Sequence, residues 1–230
     1  MGDDTPLRSR PTMRAKVYVI HCPEIPGRRE LTAAHLAAQG VTAHWWRAVH
    51  GRSWGAASAL TYDHDAPGSG YRISPGHVGN TLGHYLLWQH LYVAGVPEAV
   101  VFEDDVVVPG DFVTRYARIR QELPRSWQFA YLGMTEDDVR VGPKITARYA
   151  AGIVRLREPF GIHAYALRGS ALPVLLDRMA ELRAPADIQL WQNVLSHGLL
   201  DWYAAHPAIV TQRTQGAVGL VPNEWLTTLT

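Results

Sequence analysis

The chain has 230 residues and a mass of 25.6 kDa, with 47% apolar and 19% charged residues. That is globular composition with enough chain for a sizeable core, and it excludes a disordered protein. With 22 basic residues against 21 acidic ones the formal net charge is +1, so no bulk charge draws the chain to nucleic acid or an anionic membrane.

Met1 to Arg14 is polar and lacks the apolar centre of a signal peptide. It reads as a disordered leader over residues 1–14, ahead of one domain over 15–230. No apolar run reaches the roughly 18–20 residues of a membrane span. The expectation is a soluble, cytoplasmic protein. One cysteine, Cys22, allows neither an intrachain disulfide nor a cysteine-rich zinc site.

Lys16 to Ile20 is a short β-rich run and reads as a buried strand. Pro23, Pro26 and Gly27 then open a loop. Arg28 to Gln39 has helical spacing through Leu31, Ala34 and Leu36 and stops at Gly40. Ala43 to Val49 reads as a second strand, so the opening is β–α–β, which points to a parallel sheet covered by helices. Residues 51–75 are rich in Gly, Ser, Asp and Pro and read as a long surface loop. Ser74 and Pro75 are the N-cap and first residue of a helix reaching about Ala94. On that helix His77, Asn80, His84, Leu87 and Leu91 form one stripe at spacings of three and four.

Ala99 to Phe102 is an apolar strand that runs into Glu103, Asp104 and Asp105, with Val106 to Val108 extended beyond. Asp111 is placed to cap a helix reaching Leu123. Phe129 to Leu132 reads as a strand, 135–160 as a hairpin or excursion, and His163 to Leu167 as another strand. Helices follow from Ser170 and from Pro185, and Trp202 to Ala205 reads as a last strand before a loop-rich tail.

The acidic run is the most informative segment. Three carboxylates stand where an apolar strand ends, the edge at which open α/β sheets bind ligands. Alternation along an extended chain would put Glu103 and Asp105 on one face and Asp104 on the other. Such a cluster is costly unless positive charge meets it. A divalent cation such as Mn2+ or Mg2+ is one partner, since it takes hard oxygen ligands. A solvated turn paired with nearby arginines is the alternative. There is no P-loop, no dinucleotide glycine fingerprint and no nucleophile elbow. Cys22 follows an apolar strand and reads as a plain buried thiol.

Several blocks together resemble glycosyltransferase family 25, the lipooligosaccharide galactosyltransferase and collagen galactosyltransferase-like group. They are Val17 to Ile20 with Arg28, Arg29 and Glu30; Ala48 to Gly51; Ile73 to His84 with Leu87 and Trp88; Val100 to Val106 with Asp111 and Phe112; Tyr131 to Gly133; Gly161 to Leu167; and Pro185 to Asp187 with His206 and Pro207. They run in family order over about residues 16–215. Where the family has Asn-Leu after the first strand, this chain has His21 and Cys22; of the family's elements on the long helix, only His84 of its Ser-His pair remains.

The resemblance implies a GT-A-type α/β fold, a Rossmann-like, mostly parallel sheet flanked by helices. The nucleotide-sugar half would span about 15–108 and the acceptor half about 109–230. It implies transfer of a sugar, galactose or a related hexose, from a UDP-sugar to a hydroxyl of a glycan or other acceptor, with inversion. Manganese would hold the donor diphosphate at Glu103, Asp104 and Asp105. Asp105 is the first metal ligand and Glu103 the second, with His206 or His163 to complete the shell. Asp104 is assigned to donor hydroxyls. Ile20, Arg28, Arg29, Val49 and His84 are donor-side candidates, although His84 also fits a core histidine and the arginines a solvated helix start. Asp187 is the candidate general base or, equally, a helix N-cap. The tryptophan-rich C-terminal third is a candidate homodimer contact. A catalytically silent GT-A-like binding or scaffold domain is the other reading.

Overall fold

A computed structural model describes residues 13–51, 73–135 and 145–213. The 1–12 leader, the loop expected over 51–75 beyond Gly51 and Ile73, and the tail after Arg213 lie outside the described residues.

In chain order the elements are β1 (Lys16–His21), α1 (Arg28–Ala37), β2 (Ala43–Arg47), α2 (Pro75–Val93), β3 (Glu98–Glu103), β4 (Val106–Val107), α3 (Phe112–Glu122), β5 (Phe129–Thr135), β6 (Ile145–Ala150), β7 (Ile153–Leu156), β8 (Phe160–Arg168), α4 (Leu172–Arg178), α5 (Ala186–Leu190), β9 (Trp202–Ala205) and β10 (Thr211–Gln212). A single turn of 3-10 helix precedes α4 and a π-helical turn, Trp191–Leu195, continues α5.

Eight strands form one sheet in the order β2-β1-β3-β8-β5-β9-β7-β6. β1 pairs parallel with β2 and β3, and β5 pairs parallel with β9, while β8 runs antiparallel between β3 and β5. The sheet is therefore mixed, and β6 and β7 close it as an antiparallel hairpin. β1, β3, β5 and β9 end at one edge, and β8 begins there.

Alternation along the central strands divides the core in two. Tyr18, Ile20 and Val101 face Leu87, Trp88 and Leu91 of α2, with α4 and α5 on the same side. Val17, Val19, Val100 and Phe102 face Leu36 of α1 and Phe112 and Tyr116 of α3. Burial on both faces explains why β1 and β3 are continuous apolar runs.

α2 starts as expected. Ser74 accepts from the His77 N–H at 3.3 Å, and the Ser74 N–H donates to His77 Nδ1 at 3.2 Å, so a histidine completes a capping box. α3 departs from expectation. Asp111 makes no cap hydrogen bond and pairs with Arg115 at 2.7 Å instead.

Gly79 lets the first turns of α2 lie against the segment after β2. A Cβ there would fall inside contact distance of the Val49 carbonyl and about 2.9 Å from Gly51 N. Both neighbours are backbone and cannot yield by a rotamer change. Gly79→Ala is expected to destabilise the fold by about 1–3 kcal/mol, which chemical denaturation would measure. An unchanged midpoint would show that the contact is not tight.

Candidate active site

The sheet edge carries the acidic cluster because β3 ends at Glu103 and the chain turns at Asp104 and Asp105 before β4. The turn breaks the expected extended alternation. Glu103 faces α2, whereas Asp104 and Asp105 share Arg28, which lies 3.2 Å from Asp104 Oδ1 and 3.4 Å from Asp105 Oδ2.

Asp104 is held by the β1–α1 loop. Its Oδ2 lies 3.0 Å from His21 Nδ1 and accepts from the Cys22 N–H at 3.1 Å, and its backbone carbonyl accepts from Thr32 Oγ1 at 2.8 Å. With Arg28 on the other oxygen, this carboxylate fastens the loop while also lining the first cavity. Cys22 borders the site, and burial followed by its bond to Glu24 pushes the thiol up to about 11. The thiol expected to be buried is half-buried at the border of the first cavity, and the raised value favours its protonated form.

Glu103 accepts from Asn80 Nδ2 at 2.7 Å and lies 3.2 Å from His84 Nε2, both bonds ending on Oε1. Burial opposes its ionisation, but the His84 and Asn80 bonds outweigh that and hold it below the usual carboxylate range. Asp105 shows the opposite balance. Its Oδ2 accepts from Gln212 Nε2 at 3.1 Å, but its Oδ1 is buried without a partner among the described residues. Burial, and then the charge of Glu103, raise it to about 7 despite Arg28.

Two adjoining cavities meet at this cluster. One, of about 330 Å3, is lined by Ile20, Arg28, Val49, Asp105 and the first turn of α2. The other, of about 350 Å3, is lined by Gly161, His163, Pro185, Asp187 and Ile188. Glu103, His77, Asn80 and Gln212 line both. The structure thus gathers Ile20, Arg28, Val49, Glu103, Asp104 and Asp105 at the first cavity, and His163 and Asp187 at the second.

His163 is buried on β8, where the Val210 backbone favours its charged form and no side chain bonds either ring nitrogen among the described residues. Burial lowers its pKa. Gly133 on β5 gives it room, since a Cβ there would come within 2.6 Å of its Nε2. Asp187 accepts the Gly161 N–H on Oδ2 at 2.8 Å and its neighbour Ile188 N–H on Oδ1 at 2.9 Å. It therefore ties α5 to the start of β8 while bordering the second cavity.

Three expected site residues lie elsewhere. Arg29 is exposed on the outer side of α1, with its guanidinium 5.0 Å from the centroid of Trp45. The next position along a helix turns away from Arg28, so only one of the pair faces the cavity. His84 is fully buried between Tyr165 and Glu103 and lines neither cavity. Its helix position aims it at the Glu103 side chain, so it supports the cluster from behind. His206 follows β9, three strands from β3, where its N–H bonds the Gly152 carbonyl of the β6–β7 turn. It lines neither cavity, unlike His163, the other histidine candidate for the metal shell, which lines the second.

Gln212 and Arg213 went unrecognised in the sequence. β10 is two residues long and pairs antiparallel with β4, which lays Gln212 over Asp105. The Arg213 N–H donates to the Asp105 carbonyl at 2.9 Å, and its guanidinium reaches Thr32 and Val106. A two-residue strand leaves no periodic signal. Asn80 belonged to a legible helix stripe, and its i, i+4 relation to His84 is what converges both on Glu103.

A divalent cation fits what is present. Asp105 offers an unpartnered buried oxygen beside the Arg28 guanidinium, and Glu103 carries both its bonds on one oxygen. Among the described residues no three His, Cys, Asp or Glu side chains group as a metal site. The protein therefore offers one or two carboxylates, the number magnesium-like ions take when phosphate and water supply the rest.

The profile of glycosyltransferase family 25 (LPS biosynthesis protein) matches residues 14–190. The mouse protein named inactive glycosyltransferase 25 family member 3 is 31% identical over 127 residues, covering 51% of this chain and 22% of its own length. Its human counterpart is 28% identical over 162 residues, covering 66% of this chain and 27% of its own. The chain thus spans about a quarter of the length of the curated relatives it matches. Among solved structures, a glycosyltransferase involved in glycosylation of the major capsid of PBCV-1 aligns with TM-score 0.49 at 9% identity, over 87% of this chain and 93% of that one. Mannose-1-phosphate geranyltransferase of Thermus thermophilus aligns with TM-score 0.47 at 10% identity, over 87% and 75%. Among the described residues no helix is long and apolar enough to cross a membrane. The profile match over residues 14–190 places this protein in glycosyltransferase family 25, on an α/β fold built around a mixed eight-stranded sheet.

Proposed function

We propose that the protein transfers a hexose, galactose or a related sugar, from a UDP-sugar to an acceptor hydroxyl with the help of Mn2+ or Mg2+. The observation that carries this is Asp105. It is a buried carboxylate with an unpartnered oxygen, raised to about 7 by burial and the charge of Glu103, and it lines the first cavity beside Glu103, which borders both.

Asp105 and Glu103 would hold the metal, which supplies charge neutralisation for the departing diphosphate. His163, which lines the neighbouring cavity together with Glu103, is the histidine that would join them. Arg28 adds a fixed positive charge on the donor side. Asp104 keeps Arg28 and the loop after β1 in place. The acceptor enters the second cavity, and Asp187 receives the hydroxyl proton, with each oxygen keeping a lone pair beyond its backbone bond. A base across the reacting carbon from the leaving group is the arrangement for inversion.

The test is thermal unfolding against pH, with and without Mn2+. The folded protein keeps the Asp105 proton to about pH 7, whereas an ordinary aspartate releases it near 3.8. The native state binds more protons between these values, so this group's contribution to stability falls as pH rises through that window. A cation that binds the carboxylate reverses the loss. The Mn2+-induced rise in midpoint is expected to be small at pH 5 and largest above pH 7. A rise independent of pH would contradict the assignment of Asp105.

The second reading is a catalytically silent domain that binds a nucleotide or sugar. The word "inactive" in the names of the mouse and human relatives favours it. Nucleotide binding without turnover on any donor would support this reading over transfer.

A further inference from the structure

Behind Glu103 lies a chain of buried polar groups. Trp88 Nε1 is 2.9 Å from the Tyr165 hydroxyl, that hydroxyl is 3.0 Å from His84 Nδ1, and His84 Nε2 is 3.2 Å from Glu103 Oε1. Trp88, Tyr165 and His84 are all 0% exposed. Trp88 and His84 sit four residues apart on one face of α2, and Tyr165 stands on β8, so rigid elements carry every member.

The chemistry of the end groups sets the direction of each bond. An indole N–H only donates. Trp88 therefore donates to the Tyr165 oxygen. At the other end the Glu103 carboxylate accepts, so His84 Nε2 carries the proton it donates; with Nδ1 as the accepting nitrogen of the ring, the Tyr165 O–H donates to it. Asn80, one turn earlier on the same face, donates to the same carboxylate oxygen. Both bonds fall on Oε1, which leaves Oε2 for a ligand.

We propose that Trp88, Tyr165 and His84 are a positioning relay that locks the His84 tautomer and thereby fixes the Glu103 carboxylate for its ligand. The proposal rests on the reading of Glu103 as part of the metal and donor site. Physical economy supports it. Leu87, Leu91, Val101 and Phe129 pack in the same core. A core there needs no polar network, since a buried network is costly unless every member is satisfied. This network is satisfied from end to end and terminates on a residue that borders both cavities.

Tyr165→Phe in the full chain tests the relay, because the ring and its packing remain and only the hydroxyl is lost. Two-bond 1H–15N correlations report the His84 tautomer, and the resonances are assigned by their loss in His84→Gln. The parent is expected to show the proton on Nε2, and Tyr165→Phe a mixture of tautomers. Mn2+ affinity, read by titration of the free-ion signal, is expected to fall about tenfold, the scale for loss of a group that orients a metal ligand. His84→Gln, which can still donate to Glu103, should recover part of that loss relative to His84→Ala. If Tyr165→Phe is poorly folded, Trp88→Phe removes the first donor instead, and the same tautomer mixture is expected. A parent protonated on Nδ1 would overturn the relay, as would variants that change only the unfolding midpoint. If the parent binds no Mn2+ but shows the Nε2 proton, and the variants scramble it, the relay stands and the metal reading of Glu103 fails.

Discussion

Asp105→Asn is expected to lower turnover about 10³-fold, the equivalent of about 4 kcal/mol of charge stabilisation at the leaving diphosphate, while unfolding at pH 8 occurs at the same temperature or higher. The two effects have one origin. Asp105 is held near Glu103 and Asp104 in a buried turn, and its charge is disfavoured there. Asparagine matches the shape of aspartate, can still accept from Gln212, and removes the repulsion. A residue that improves the resting fold when neutralised is retained for what it does with a ligand. Turnover and unfolding measured on the same preparation check this. Loss of turnover in step with a lowered midpoint would make Asp105 a structural residue.

Asp104→Ala is expected to act in the opposite way, by undoing the loop after β1. Asp104 is 4% exposed, and its oxygens serve the Cys22 N–H, His21 and Arg28. Truncation leaves these groups without an acceptor in a closed setting. Breaking a buried charge pair costs about 3–5 kcal/mol. Arg28 retains 24% side-chain exposure, which screens part of that, so about 2–4 kcal/mol is expected. Because Arg28 lines the first cavity, where the proposed function puts the donor, the donor KM should rise as well. Asp104→Asn keeps one acceptor and should lose about half as much stability. Denaturant midpoints of the two variants check the ranking; equal, small losses would mean the loop holds itself.

Much of this arrangement was legible in the chain. β1 and β3 announced themselves as apolar runs because both of their faces are buried, and Ser74-Pro75 announced α2 because capping chemistry is local. The acidic run was legible as the end of β3, and the strand does end at Glu103. What escaped depends on contacts between distant segments. Asp104 and Asp105 share Arg28 because the chain turns after Glu103, which extended alternation does not anticipate. His206 lies three strands from β3, and only the strand order shows that distance. Arg28 and Arg29 are equivalent in sequence, yet one faces the cavity and the other covers Trp45. Gln212 and Arg213 reach Asp105 from the far end of the chain through a two-residue strand.

Nucleotide release from a panel of UDP-, GDP- and CMP-sugars, with Mn2+ and with EDTA, alongside Asp105→Ala, tests the central claim most directly. Mn2+-dependent release of UDP from one donor, abolished by EDTA and by the substitution, is the predicted result. Release that persists in EDTA or in Asp105→Ala would contradict a metal-assisted transfer built on this carboxylate.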